Sequence, residues 1–179
     1  MAADSVFGPD FLKSKIRHVP DFPKPGILFY DITTLLRDPL GFKIVIDHLA
    51  APFTGAGIEL VVGIESRGFI LGGAVADRLG AGFCPIRKPG KLPARTIRES
   101  FQLEYGSDSL ELHHDAVSPG QRVLVVDDVL ATGGTARAAA SLVRQLGGTL
   151  HALSFLIELT FLKGREQLAG QRVESVLQY

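Results

Sequence analysis

The stretch Arg122-Val-Leu-Val-Val-Asp-Asp-Val-Leu-Ala-Thr-Gly-Gly-Thr135 passes from an apolar, β-branched run into two acids and then into small, hydroxyl-bearing residues. Arg122 to Val126 reads as a buried strand and Asp127 to Gly134 as a turn. The alanine-rich run Thr135 to Leu146, closed by Gly147-Gly148, reads as a helix. The same order occurs upstream. Glu59-Leu-Val-Val-Gly-Ile64 is a short apolar run, followed by a glycine-containing turn and a helix-like stretch from Phe69 to Leu79 that stops at Gly80. Downstream, Leu150 to Leu159 supplies another buried strand. Strands that are apolar on both faces and alternate with helices predict an α/β fold, a central, mainly parallel sheet flanked by helices and joined by right-handed crossovers. Ligands of such sheets bind beyond the strands' carboxyl ends. Asp127 and its successors lie there.

Working outward, Asp38-Pro39 reads as an N-cap with proline at the first helical position, and Phe42, Val45, Ile46 and Leu49 recur at helical spacing; a helix is expected from Pro39 to about Phe53. Arg87 to Gly106 holds two prolines, two glycines and many charges, with Phe101, Leu103 and Tyr105 alternating near its end. It reads as a long mobile loop running into an edge strand. The tail after Leu162 is polar and carries no pattern. The 179 residues fit one domain, 1–179, with an N-terminal arm and hood over 1–34 and a flexible loop over 87–106.

Composition narrows the function classes. Lys plus Arg balance Asp plus Glu at 19 each, so no overall field draws the chain to nucleic acid or an acidic membrane, and any anion site is local. Cys84 is the only cysteine, which excludes an intrachain disulfide and the multi-cysteine zinc spacings and fits a reducing, cytoplasmic setting. Met1-Ala-Ala-Asp-Ser5 does not read as a signal peptide, and no apolar run approaches transmembrane length. His113 and His114 are adjacent and would point to opposite faces of a strand, so they are poor partners for one metal. Cys84 sits in an apolar string and reads as a small core side chain.

Four strings carry chemistry. In the first, Gly133 and Gly134 let the backbone approach an anion, the helix start favours negative charge, and Thr132 and Thr135 add hydroxyl donors. The chain has neither the triphosphate loop nor the dinucleotide fingerprint, so the anion reads as a phosphate monoester. Asp127 and Asp128 suit vicinal sugar hydroxyls or a hydrated magnesium ion. A lone Gly-Gly would be only a tight bend; the whole string outweighs that reading. The second, Gly63-Ile-Glu-Ser-Arg-Gly68, again ends a strand, and Arg67 could bind a pyrophosphate bidentately. The third, Arg87-Lys-Pro-Gly-Lys91, gathers cations of the kind a leaving pyrophosphate needs. Glu104 and Tyr105 follow it on a loop that could close on a base. The fourth, Asp21-Phe-Pro-Lys-Pro-Gly-Ile-Leu-Phe-Tyr-Asp-Ile-Thr33, is a proline-stiffened hood whose aromatics could stack a planar base or simply form a hydrophobic cluster.

The first string resembles the phosphoribosyl-pyrophosphate motif of the type I phosphoribosyltransferases, in which two acids precede the loop that holds the 5′-phosphate. All four strings, in this order from about Phe22 to about Leu168, are similar to the adenine-using members of that family's purine branch. Glu158-Leu-Thr-Phe-Leu-Lys-Gly-Arg165 also resembles their C-terminal segment. The resemblance implies transfer of the 5-phosphoribosyl group from phosphoribosyl pyrophosphate to adenine N9, giving AMP and pyrophosphate with Mg²⁺, in purine salvage by a cytoplasmic homodimer. It assigns the 5′-phosphate to Ala131, Thr132, Gly133, Gly134 and Thr135, and the ribose hydroxyls to Asp127 and Asp128. Pyrophosphate falls to Arg67, Arg87, Lys88 and Lys91. The Leu28 backbone would read the adenine edge, Phe29 would stack on the ring, Tyr30 and Tyr105 would line the substrate site, and Glu104 would donate a proton to N7. The metal would be held through substrate and water rather than directly. One departure is Tyr30, where the family carries arginine. A 6-oxopurine enzyme would share the sugar-phosphate machinery. A non-catalytic sensor of the same fold would instead need a basic DNA-binding module, for which this neutral chain has little room.

Overall fold

The computed structural model describes residues 8–102 and 107–179. The chain divides into two compact units, residues 1–48 and 49–179.

The first unit opens with helix α1 (Pro9–Ser14) and a two-stranded antiparallel ribbon, β1 (Arg17–Pro20) with β2 (Leu28–Asp31), in the register Arg17↔Asp31 to Pro20↔Leu28. A short helix α2 (Thr33–Leu36) and helix α3 (Pro39–Ala50) follow, and a 3-10 turn at Ala51–Phe53 ends the helical stretch predicted to run to Phe53. Asp38 caps α3 as the sequence suggests: its Oδ1 accepts the Gly41 N–H at 2.9 Å and its carbonyl accepts the Phe42 N–H at 2.8 Å.

The second unit is built on β3 (Leu60–Ile64), α4 (Arg67–Leu79), β4 (Gly82–Ile86), β5 (Thr96–Gln102), β6 (Ser107–His113), β7 (Arg122–Leu130), α5 (Gly134–Gln145), β8 (Thr149–Glu158) and β9 (Val173–Gln178). Five strands form one parallel sheet in the order β4-β3-β7-β8-β9. All residues of β3 are buried, and Val123 to Val126 of β7 are wholly inaccessible, so both sheet faces are covered. Helix α4 packs on β3, β4 and β7, and α5 packs on β7, β8 and the antiparallel hairpin β5–β6. Gly80 ends α4 with φ +67°, the left-handed closure its position predicted.

The structure corrects the sequence reading at three places. Strand β7 runs on through Asp127 and Asp128 to Leu130, because Val129 and Leu130 still pair with Ile157 and Glu158 of β8. The acids suggested a turn, yet they lie in the last turns of the pleat. Within 87–106, the edge strand expected near Phe101 starts earlier, at Thr96, and Thr96–Gln102 pairs with Ser107–His113. The tail that looked patternless supplies β9, which pairs with β8 from Leu153↔Val173 to Glu158↔Gln178.

Two glycines set how closely α4 approaches the sheet. A Cβ on Gly63 of β3 would stand 2.7 Å from both the Gly68 carbonyl oxygen and the Phe83 ring. A Cβ on Gly68 would stand 2.7 Å from Asp127 Oδ1. The start of α4 is thereby pressed against the ends of β3 and β7. Gly63→Ala should destabilise the fold by about 1–3 kcal/mol through overpacking, which scanning calorimetry would register as a melting temperature lowered by roughly 2–12 °C. An unchanged melting temperature would show that the contact is slack.

Candidate active site

The carboxyl ends of β4, β3 and β7 stand side by side, and each sends a functional loop from the same edge of the sheet. At the end of β7, Asp127 and Asp128 are only 8% and 7% exposed. The Asp128 N–H donates to Asp127 Oδ1 at 2.9 Å. Burial, and then the neighbouring Asp128 carboxylate, push the Asp127 carboxyl well above the usual carboxylate range. Asp128 Oδ2 makes no aligned hydrogen bond, but Arg67 Nε pairs with it at 2.6 Å. The first and second strings are thus brought together, with Arg67 and Gly68 in the first turn of α4 rather than in a preceding loop.

Beyond β7, Ala131 to Gly133 bend into α5. Gly133 takes the N-cap position with φ +88°, a left-handed conformation that favours glycine, and has no side chain with which to cap the helix. The N–H groups of the first turn therefore remain available to an anion. A cleft of about 80 Å³ opens here, lined among others by Asp127, Ala131, Thr132, Gly133, Thr135 and Phe155.

The third string is organised by a residue the sequence reading passed over. Glu65, at the end of β3, is 11% exposed and accepts hydrogen bonds from Lys91 Nζ at 2.8 Å, the Lys88 N–H at 2.9 Å and Arg87 Nε at 3.2 Å. Burial alone would raise its pKa, but Lys91, the Lys88 amide and Arg87 outweigh that and hold it at about 2. A glutamate within Gly-Ile-Glu-Ser-Arg gives no local sign of this task; the cations it gathers lie more than twenty residues away. The hairpin adds two further carboxylates. Asp108 pairs with the Lys88 ammonium, and Glu111 accepts from the Gly90 N–H at 2.9 Å and from Arg98 at 2.6 Å.

In the first unit, Leu28, Phe29 and Tyr30 lie on β2. Phe29 meets Phe22 edge to face at 5.1 Å, with Phe22 half exposed, and Tyr30 meets His18 in the same manner at 5.1 Å. Asp21 closes the turn before β2 by accepting the Gly26 N–H on Oδ1 at 2.7 Å. Glu104 and Tyr105 lie outside the described residues. Burial pushes the Cys84 thiol up to about 12, in keeping with an unreactive side chain. Among the described residues no group of three or more His, Cys, Asp or Glu could hold a metal, and no helix is long and apolar enough to cross a membrane.

Glu65 gives a signed pH effect. Its pKa in the folded protein lies below the ordinary 4.5. Its stabilising contribution is therefore complete above about 4.5 and is lost as the pH falls toward about 2. Denaturant titrations should find wild type more stable than Glu65→Gln above that window, with the difference shrinking through it. A pH-independent difference would mean that Glu65 works through packing alone.

The phosphoribosyl transferase domain family matches residues 33–158. An adenine phosphoribosyltransferase of Acidobacterium capsulatum is 62% identical over 168 residues, spanning 94% of this chain and 93% of its own length. Among solved structures, adenine phosphoribosyltransferase from Rhodothermus marinus superposes with a TM-score of 0.93 at 54% identity, covering 98% of this chain and all of its own. The enzyme from Saccharomyces cerevisiae, solved with D-2,5-dideoxy-2,5-imino-altritol 1,6-bisphosphate and adenine, superposes with a TM-score of 0.91 at 40% identity, covering 97% and 100%. Two buried acids ahead of an uncapped helix, with a cation cluster at the ends of the neighbouring strands, are thus found in a chain that belongs to the phosphoribosyltransferase family and, within it, to the adenine phosphoribosyltransferases.

Proposed function

We propose that the chain transfers the 5-phosphoribosyl group of phosphoribosyl pyrophosphate to adenine, forming AMP and pyrophosphate. The observation that carries this reading is the pair of buried acids near the end of β7, followed after Val129 to Gly133 by the uncapped, glycine-started α5. A monoester anion suits that helix start, and vicinal hydroxyls suit the acids one step before it.

In this reading Ala131 to Thr135 hold the 5′-phosphate, and Asp127 and Asp128 hold the ribose hydroxyls. Arg67 exchanges its hold on Asp128 for the pyrophosphate, and Arg87, Lys88 and Lys91 neutralise the charge that grows on it as the glycosidic bond opens. Asp127 and Asp128 favour the positive charge that develops on the sugar. Their hard oxygen donors fit a hydrated Mg²⁺ that brings most of its shell from substrate and water. When bound, that ion adds to the neutralisation of the leaving group. On the base side, the Leu28 backbone reads the adenine edge, Phe29 stacks on the ring, and Tyr30 and Tyr105 complete the surround. Glu104 supplies the proton to N7, and the segment 87–106 covers the site while the N-terminal hood binds the base. The working form is a homodimer in the cytoplasm.

Purified protein given Mg²⁺ and phosphoribosyl pyrophosphate should form AMP from adenine in preference to products from hypoxanthine, guanine or xanthine. Selective use of a 6-oxopurine would overturn the base assignment. Glu104→Gln should lower turnover by about 10²-fold or more while leaving the KM for the sugar donor nearly unchanged, because its proton concerns the base. An undiminished rate would remove Glu104 from the reaction.

A further inference from the structure

The C-terminal segment crosses directly behind the phosphate loop. After Glu158, the last residue of β8, two 3-10 turns at Thr160–Leu162 and Gly164–Leu168 bring the chain against Ala131 and Gly133. There two glycines meet with no side chain between their backbones. A Cβ on Gly164 would collide with the Ala131 carbonyl oxygen and come within 3.0 Å of Leu130 Cδ1. A Cβ on Gly133 would collide with the Gly164 carbonyl oxygen and stand 2.9 Å from Gln167 Cβ. Each glycine thus occupies the space the other leaves.

The crossing segment is fixed from behind. Arg165 grips Glu158 with Nε to Oε1 at 2.7 Å and a terminal nitrogen to Oε2 at 2.8 Å. It also donates to the Val173 carbonyl at 2.9 Å and to Ser175 Oγ at 3.2 Å, both on β9. Glu158 is 4% exposed and accepts a further bond from Ser175 Oγ at 2.6 Å. Leu168, at the end of the second turn, is buried in the core. A bidentate, nearly buried pair of this kind holds orientation as well as charge. It stands at the carboxyl edge of the sheet, yet the reaction as described gives it no task.

We propose that Gly164, fixed by the Arg165–Glu158 pair, is a positioning residue for the 5′-phosphate. It sets the place of the Ala131 carbonyl and of the left-handed Gly133, and so keeps the N–H groups at the start of α5 turned to the anion. The proposal rests on the reading that Ala131 to Thr135 bind that phosphate. It separates ligands by one group: AMP, which carries the phosphate, depends on the crossing, and adenosine, which lacks it, does not.

The test measures competitive binding of AMP and adenosine to wild type, Gly164→Ala, the double variant Arg165→Gln with Glu158→Gln, and Thr135→Ala. The double variant loosens the clamp without leaving a buried charge unpaired, and it stands in should Gly164→Ala not fold. Thr135→Ala reports on the phosphate reading itself, and should weaken AMP alone. Folded Gly164→Ala or the double variant should bind AMP about tenfold more weakly while adenosine stays within about twofold. If Thr135→Ala weakens AMP and neither folded clamp variant does, the inference fails and the phosphate reading stands. Equal losses for AMP and adenosine would mean a general structural role and would also overturn it. If Thr135→Ala leaves AMP unchanged, the phosphate reading falls and the inference with it.

Discussion

Two adjacent carboxylates buried at the end of a central parallel strand are costly, and much of the second unit is arranged around them. Desolvation and mutual repulsion both disfavour a second negative charge there, and the Asp127 carboxyl is displaced well above its usual range accordingly. What tolerates the pair is local and specific: Arg67 beside Asp128, the Asp128 N–H on Asp127, and the start of α4 pressed close by Gly63 and Gly68. A fold seeking stability alone would place apolar side chains at these positions. Beside an uncapped helix, they suit the hydroxyl-bearing ligand proposed for them.

The second organising feature is opposite in sign. Glu65 and the hairpin acids Asp108 and Glu111 hold the cations and backbone of the 87–91 segment at the neighbouring strand end. These carboxylates hold Arg87, Lys88 and Lys91 together in one place. In the proposed reaction, cations already gathered in this way need little reorganisation when charge develops on a leaving group.

Much of this was legible from residue pattern. The β-branched runs at 60–64 and 122–126 could be buried on both faces only in a covered parallel sheet, and Asp38-Pro39 and Gly80 marked helix ends by local stereochemistry. The reading failed where long-range pairing decides. Asp127 and Asp128 suggest a turn by composition, but pairing with β8 carries the strand through them. Val173–Gln178 lacks alternation and became a strand because β8 offered an open edge. Glu65 and Gly164 lie in strings that the sequence singled out, but the residues they meet are distant in sequence, so nothing local shows those contacts.

The most direct measurement of the central claim is a crystal structure of the protein with AMP bound. The account predicts the 5′-phosphate on the backbone N–H groups and hydroxyls of Thr132 to Thr135, with the ribose hydroxyls accepted by Asp127 and Asp128. A phosphate seated instead among Arg87, Lys88 and Lys91, with the α5 start empty, would contradict it.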